Sequence, residues 1–417
     1  MGHGMGHGMG FDKERLTGLH DTLAGHVERG GVPGLVALVA HGDQVHVEAL
    51  GKRSLRGGPV GRDTIFRVAS MTKPITAAAT LILLEECRLR LDDPVDELLP
   101  ELAHRRVLRR PDGPLDDTVP AERPITVRDL LTFRMGIGIL PAPPDSSPIQ
   151  QTMEVLELGQ GVPRPASFPE PDDWLARLGT LPLIHQPGER WLYNTGSDVL
   201  GVLIARASGQ PFERFLQERL FDPLGMTDTG FAVPADQLDR FTTAYWQDPE
   251  NGSGLSVFDE ADGGEWSTPP KFQSGAAGLV STADDFLAFS RMLLAGGRYG
   301  GRRILSRTAV ELMMSDQTSS DLMSRQTDGP ELIPGFFATH GWGLGGAVVT
   351  RATELGRPVG QFGWDGGLGT SWAVDPVRGV AGVLLTQRLW TSPVAPPVCR
   401  DFWVSAYQAL EEQGLED

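Results

Sequence analysis

Phe66-Arg67-Val68-Ala69-Ser70-Met71-Thr72-Lys73-Pro74 is the stretch on which the reading of this 417-residue chain turns. Only four of its 37 basic residues are lysines, and one of them is Lys73. A guanidinium keeps its proton in a protein, whereas a lysine amine gives it up when buried or crowded by charge. Positions i and i+3 share one face of a helix, which brings Lys73 Nζ to Ser70 Oγ. That is the pairing of a serine nucleophile with an amine that takes its proton. S-x-x-K alone is a weak signal, and its flanks strengthen it. Thr64-Ile65-Phe66-Arg67-Val68-Ala69 alternates as a strand does, and Ile75 to Leu84 has the Ala- and Leu-rich character of a buried helix. A serine where such a helix begins has free backbone N–H groups and the positive dipole end beside it. Pro74 falls near the first turn, where its missing N–H costs little.

The rest of the composition narrows the function classes. With 40% hydrophobic and 22% charged residues, the chain is that of an ordinary globular protein with a large core. A net charge of −17 argues against nucleic acid and anionic membrane surfaces as partners. The cluster Arg105-Arg106-Val107-Leu108-Arg109-Arg110, diluted by Asp112, Asp116 and Asp117, is expected to be a solvated loop. Two distant cysteines, Cys87 and Cys399, suggest no disulfide framework and fit a reducing, cytoplasmic setting. The start, with His3 and His7 among Gly and Met, carries no apolar leader and reads as a disordered or tag-like extension over 1–10. Nine scattered histidines without H-E-x-x-H or paired C-x-x-C predict no metal site. Gly341-Trp342-Gly343-Leu344-Gly345-Gly346 reads as a glycine-rich strand edge and not as a nucleotide loop. No G-x-S-x-G elbow is present.

Along the chain, residues 11–29 predict an amphipathic helix with Leu16, Leu19, Leu23 and Val27 on one face. Gly34–Ala40 and Gln44–Ala49 predict two strands joined by His41-Gly42-Asp43. Helices follow at Val127–Phe133, Asp198–Ser208, Phe212–Phe221 and Ala283–Leu294, the last with Ser281 and Asp284 as its expected cap. Strands return at Leu344–Val349, Pro358–Trp364, Thr370–Val374 and Val380–Thr386, before a final helix from Val394 to Glu411. The expected organisation is an α/β lobe from 11–69 and 335–417, with a mostly helical lobe from 70–334. The nucleophile then lies at the lobe boundary, where pockets form. Residues 137–171, with eight prolines, predict a long irregular pocket wall.

Three further stretches join the S-x-x-K segment: Thr126-Val127-Arg128-Asp129-Leu130-Leu131-Thr132, Pro187-Gly188-Glu189-Arg190-Trp191-Leu192-Tyr193, and Trp364-Asp365-Gly366-Gly367. With Asp222-Pro223-Leu224-Gly225-Met226 and Gly278-Leu279-Val280-Ser281-Thr282, they resemble the serine β-lactamase and penicillin-binding-protein superfamily. The likeness is greatest to its class C-related branch and family VIII carboxylesterases, from about residue 11 to 415. It implies a β-lactamase/transpeptidase-like α+β fold, an antiparallel sheet built from both chain ends with a helical lobe inserted. It also implies Ser70 as nucleophile, Lys73 as its amine partner and Tyr193 as the proton-exchanging phenol. An oxyanion hole is implied at the backbone N–H groups of Ser70 and Gly367, beside a strand that Gly366 lets approach closely.

Two departures from the family pattern bear on substrate. Tyr193-Asn194-Thr195 puts the asparagine directly after the tyrosine and a threonine at its usual place. Either Asn194 reaches the site by a local shift, or the amide contact is missing. Trp364-Asp365-Gly366 stands where lactamases and peptidases carry K-T-G or H-x-G; an indole offers no positive charge, and Asp365 repels a carboxylate. Arg388 is a substitute cation to be looked for. Phe133, Met135, Trp364 and Trp390 are the expected apolar wall. The expected activity is hydrolysis of small, neutral, fairly apolar carboxylic esters through an acyl-enzyme, with no cofactor or metal. A β-lactamase or DD-peptidase, an acyltransferase and a catalytically silent sensor domain remain the alternatives; oligomeric state is not legible.

Overall fold

Helix α1 (Lys13–Glu28) begins at Asp12, whose carboxylate accepts the N–H groups of Glu14 and Arg15 at 2.8 and 3.0 Å. The computed structural model describes residues 10–140, 146–159, 161–247, 254–318 and 331–410. Strands β1 (Gly34–His41) and β2 (Gln44–Gly51) form the hairpin expected after α1. Late in the chain come β5 (His340–Trp342), β6 (Ala347–Val349), β7 (Phe362–Gly366), β8 (Thr370–Asp375) and β9 (Val380–Thr386), numbered after the short strands β3 (Phe66–Arg67) and β4 (Val280–Ser281). They make one antiparallel seven-stranded sheet in the order β5-β6-β7-β8-β9-β1-β2. The chain's first strand therefore pairs with its last, and everything between β2 and β5 is inserted.

Both faces of this sheet are covered, which is why every residue of β1 is buried. Leu35, Ala37 and Val39 pack with Leu19 and Leu23 of α1 and with Phe402 and Trp403 of the closing helix. The alternate residues Val36, Leu38 and Ala40 face the main core. Trp372 of β8 enters that second face against Phe286 and Phe289, at 5.9 and 5.6 Å between ring centroids, and its Nε1 donates to Ser290. The helices used below are α2 (Thr72–Glu85), α3 (Thr195–Ser208), α4 (Ala283–Leu294) and α5 (Pro397–Gln408). Helix α2 is buried on all sides from Thr72 to Leu83, so its apolar run is core and spans nothing. No helix among the described residues is long and apolar enough to cross a membrane.

Several expectations change in detail. Only Phe66 and Arg67 of the 64–69 segment pair as strand, with Ser281 and Val280 of β4. The extension stops at Val68, which turns to φ −94 and ψ −6, with Ala69 following at φ +44. The cap of α4 is Thr282, whose hydroxyl accepts the Asp285 N–H. Ser281 is already engaged in the β-pair, and only the residue next to the helix reaches the third N–H. Arg105 is buried rather than solvated: its guanidinium donates to the carbonyls of Gly179 and Leu181. Beside it Val107 and Leu108 enter the core. Within 137–171 a helix forms at Pro148–Val155 and a 3₁₀ turn at Pro165–Ser167. Residues 1–9, 141–145 and 160, part of the expected extension and loop, lie outside the described residues.

Candidate active site

Ser70 stands in a 3₁₀ turn, Ala69–Met71, that leads directly into α2. Ala69, at φ +44, holds a conformation that costs an L-residue roughly 1 kcal/mol. The surroundings over-determine it. Val68 N–H donates to Leu279 O at 3.0 Å, and Val68 O accepts from Met71 N–H and Thr370 Oγ1 at 3.1 and 3.2 Å. Thr72 Oγ1 donates to Ala69 O at 2.7 Å and accepts the Leu279 N–H at 3.2 Å. Arg67, also buried, anchors the incoming strand through Asp259 and lies 4.0 Å over the Phe241 ring. Ser70 itself is only half-buried.

One turn into the helix, Lys73 is fully buried. Its Nζ donates to Ser70 Oγ at 3.0 Å and to Ala276 O at 2.8 Å. Burial pushes the ammonium down to about 7, against the opposing charge of Asp198. Gly345, in the loop between β5 and β6, lets the sheet close on this turn. A Cβ there would lie 2.5 Å from Ala77 Cβ and 2.8 Å from Lys73 O.

Asp198 is a residue that the sequence reading placed only on a helix. It is buried on α3, accepts from Ser274 Oγ at 2.6 Å and Ala276 N–H at 3.1 Å, and lines the cavity. Burial pushes its carboxyl up to about 6, opposed by Ser274 and by Lys73. One peptide unit further, the carbonyl of Ala276 receives Lys73, so Asp198 orients the lysine's acceptor as well as supplying charge. The available signal was a run of buried polar residues, Thr195, Ser197 and Asp198, opening an otherwise apolar helix.

Tyr193 enters from the opposite side. Its backbone O accepts from Ile139 N–H at 3.0 Å, and Leu192 N–H donates to Phe133 O at 2.7 Å. The phenol faces Ser70, which eases its ionisation, and accepts from Trp364 Nε1 at 2.6 Å. Lys73 Nζ lies 4.4 Å from its ring centroid. Burial raises the phenol well above its ordinary range and lowers the ammonium, so of the two Lys73 gives up its proton the more readily. Asn194 lines the cavity through a tight turn: at φ +85 and ψ −61 it lets Thr195 N–H reach back to Tyr193 O at 3.3 Å. Thr195 is buried in α3, so the local shift is the alternative that obtains.

The wall opposite is β7. Gly366 is pressed against the Ser70 turn, where a Cβ would lie 2.4 Å from Val68 O. Gly366 O accepts from Gly369 N–H at 2.9 Å, which aims the other end of that trans peptide, the Gly367 N–H, away from the hairpin turn. Trp364 packs edge-on against Trp342 at 4.8 Å and joins Phe336 and Trp191 in an aromatic wall around Tyr193.

Three expectations are corrected here. Phe133 and Met135 are fully buried and off the cavity surface. Phe133, at φ +55, backs Tyr193 edge-on at 5.3 Å, and Met135 belongs to the main core. Asp365 is not a free repelling charge; Arg357 lies 3.3 Å away and Ser371 donates to it. Arg388 is spent on Gly31 O and Gln247 at 2.6 and 2.7 Å and lies off the cavity. Trp390 and Trp364 do line it, with Gly159, Val162 and Phe168 of the Pro-rich segment, around a volume of about 600 Å³.

A seven-stranded antiparallel sheet with an inserted helical part, carrying a serine and a buried lysine where they meet, defines a β-lactamase/transpeptidase-like protein. The family described as Beta-lactamase matches residues 19–396, and the chain belongs to it. Protein Rv1367c of Mycobacterium tuberculosis is 40% identical over 380 residues, covering 89% of this chain and 90% of that protein. Esterase EstB of Burkholderia gladioli is 32% identical over 381 residues, covering 87% and 88%. Among solved structures, EstCE1, a hydrolase with promiscuous acyltransferase activity, superposes with a TM-score of 0.76 at 24% identity, over 94% of this chain and 99% of that one. The family is thus one of β-lactamase-fold serine hydrolases with esterase and acyltransferase members.

Proposed function

We propose that this chain is a serine carboxylesterase working through an acyl-enzyme on Ser70. One observation carries the reading: a buried Lys73 amine 3.0 Å from Ser70 Oγ, held down to about 7. Near neutral pH much of Lys73 is free amine, and the contact then runs from the serine O–H to Nζ. Ser70 attacks the ester carbonyl while its proton passes to Lys73. The oxyanion settles between the N–H groups of Ser70 and Gly367. As the C–O bond breaks, Tyr193 protonates the leaving alkoxide. Trp364 Nε1, 2.6 Å from the phenolic oxygen, stabilises its transient negative charge. The Lys73 ammonium restores the phenol's proton. Water then attacks the acyl-enzyme over the same path in reverse, releasing acid and free Ser70. No metal or organic cofactor enters any step, and the partner is a small-molecule ester.

Trp364 in place of a cation favours esters over β-lactams and D-Ala-D-Ala peptides. Acyl transfer is the second reading, suggested by EstCE1 and by a cavity of about 600 Å³, with room for an alcohol beside the acyl group. A side-by-side panel tests the assignment: chromogenic acetate and butyrate esters, a chromogenic cephalosporin and D-Ala-D-Ala peptides in one buffer. Higher kcat/KM on an ester than on the cephalosporin is expected; equal or better efficiency on the cephalosporin overturns the esterase assignment. Ester product formed from an added alcohol in excess of free acid assigns acyl transfer.

A further inference from the structure

The cavity continues past the reacting groups. On one side β7 pairs with β8 along its whole length, whereas β6 meets it only at Phe362 and Gly363. The edge from Trp364 to Gly366 is therefore free, and the cavity rounds it toward the sheet face that carries α5. There its wall holds Arg351, Arg357 and Arg400, with Glu354 and Asp365 as the acids.

These charges are not equivalent. Arg357 and Asp365 form a half-buried pair at 3.3 Å, with the guanidinium 5.1 Å over the Trp403 ring, so they neutralise one another. Arg351 and Arg400 are exposed, and neither side chain has a hydrogen bond or ion pair among the described residues. Arg400 also sits near the start of α5, which has no acid in its first turn. A cation there opposes the helix dipole by roughly 0.3–1 kcal/mol, so its position does nothing for the helix. In a chain of net charge −17, two unpaired guanidiniums line one cavity. Both ask for an anionic acceptor.

We propose that this end of the cavity is an anion subsite, in which Arg351 and Arg400 hold a carboxylate or phosphoryl group borne by the substrate away from its scissile ester. The proposal rests on the esterase reading for the reacting end and deepens it: the preferred ester is anionic, not neutral as the sequence suggested. The Arg357–Asp365 pair, already neutral, serves as the rigid floor between the two.

The test compares wild type with the Arg351→Gln/Arg400→Gln double variant on matched probes. These are p-nitrophenyl butyrate, the p-nitrophenyl hemiesters of glutarate and suberate, 4-carboxyphenyl butyrate, and 4-phosphonophenyl butyrate. The expected result is a fall of about tenfold or more in the anionic-to-neutral ratio of kcat/KM, carried by KM and reproduced in wild type by 0.5 M salt. The hemiesters, the carboxyphenyl ester and the phosphonate separate acyl-side from alcohol-side anions and carboxylate from phosphoryl. An unchanged ratio for every anionic probe, in an enzyme that hydrolyses butyrate, overturns the subsite and leaves the esterase reading standing. If wild type cleaves no ester, that reading fails by itself. The subsite is then judged by calorimetric titration with suberate: weaker binding to the double variant supports it, and equal or absent binding to both proteins overturns it.

Discussion

Asp198→Asn removes one buried negative charge and leaves an amide oxygen to accept from Ser274 and Ala276 N–H, which now stand at 2.6 and 3.1 Å. The Ser274–Ala276 turn is kept, and with it the carbonyl that receives Lys73. What changes is the electrostatic support for the ammonium, which Asp198 raises against a larger desolvation cost. For unit charges ~5–8 Å apart at an effective dielectric of about 20, that support amounts to roughly 2–3 kcal/mol. Relaxation and solvent leave an expected shift of about one to two pH units. The sign follows from which form works. Neutral Lys73 is the base, so activity rises with pH through about 7. Losing Asp198 stabilises the neutral form, and the acid limb moves to lower pH. A weaker base also accepts the serine proton less well, so the plateau falls, by roughly three- to tenfold for a Brønsted slope near one half. The assay is kcat/KM on a butyrate ester from pH 5 to 9, read at the isosbestic wavelength of the released phenol. A uniform loss with the acid limb unmoved refutes the reasoning and makes Asp198 a purely structural brace.

Two further substitutions probe the same machinery. Lys73→Arg is expected to be nearly as damaging as Lys73→Ala, because a guanidinium does not act as a base and its planar fork does not fit a fully buried amine's place; substantial activity between pH 6 and 8 reduces the lysine to an electrostatic prop. Trp364→Phe keeps the ring against Trp342 but deletes the 2.6 Å donor to Tyr193. It should lower kcat by roughly ten- to a hundredfold, for a charge-assisted bond of about 1.5–3 kcal/mol, with KM on a small ester little changed; an unaltered kcat removes the indole from the proton path.

Period-2 alternation and the S-x-x-K helix start were enough to place the sheet, α2 and the Ser70–Lys73 contact, because those depend on local chain geometry. Asp198 escaped because its work depends on residues 274–276, 76 and more positions away, being brought to α3 by packing. Arg351 and Arg400 line one cavity only because the loop after β6 packs on α5, where a Cβ at Gly356 would meet the Trp403 backbone. Phe133 and Met135 were misread for a different reason: nearness in sequence to the Thr126–Thr132 motif says nothing about which way a side chain turns, and both turn inward. Asp365 was avoidable. Neighbours on a strand point to opposite faces, so Trp364 and Asp365 were never going to confront the same part of a ligand, and the acid faces Arg357 and Ser371 instead.

The central claim is a covalent acyl group on Ser70. Intact mass measured after treatment with a fluorophosphonate or a slowly released acyl donor, followed by peptide mapping, tests it most directly. The account predicts one adduct per chain, confined to the peptide containing Ser70, and its disappearance together with nearly all ester hydrolysis in Ser70→Ala. An adduct on another residue, or a Ser70→Ala protein keeping more than about a few per cent of wild-type hydrolysis, contradicts it.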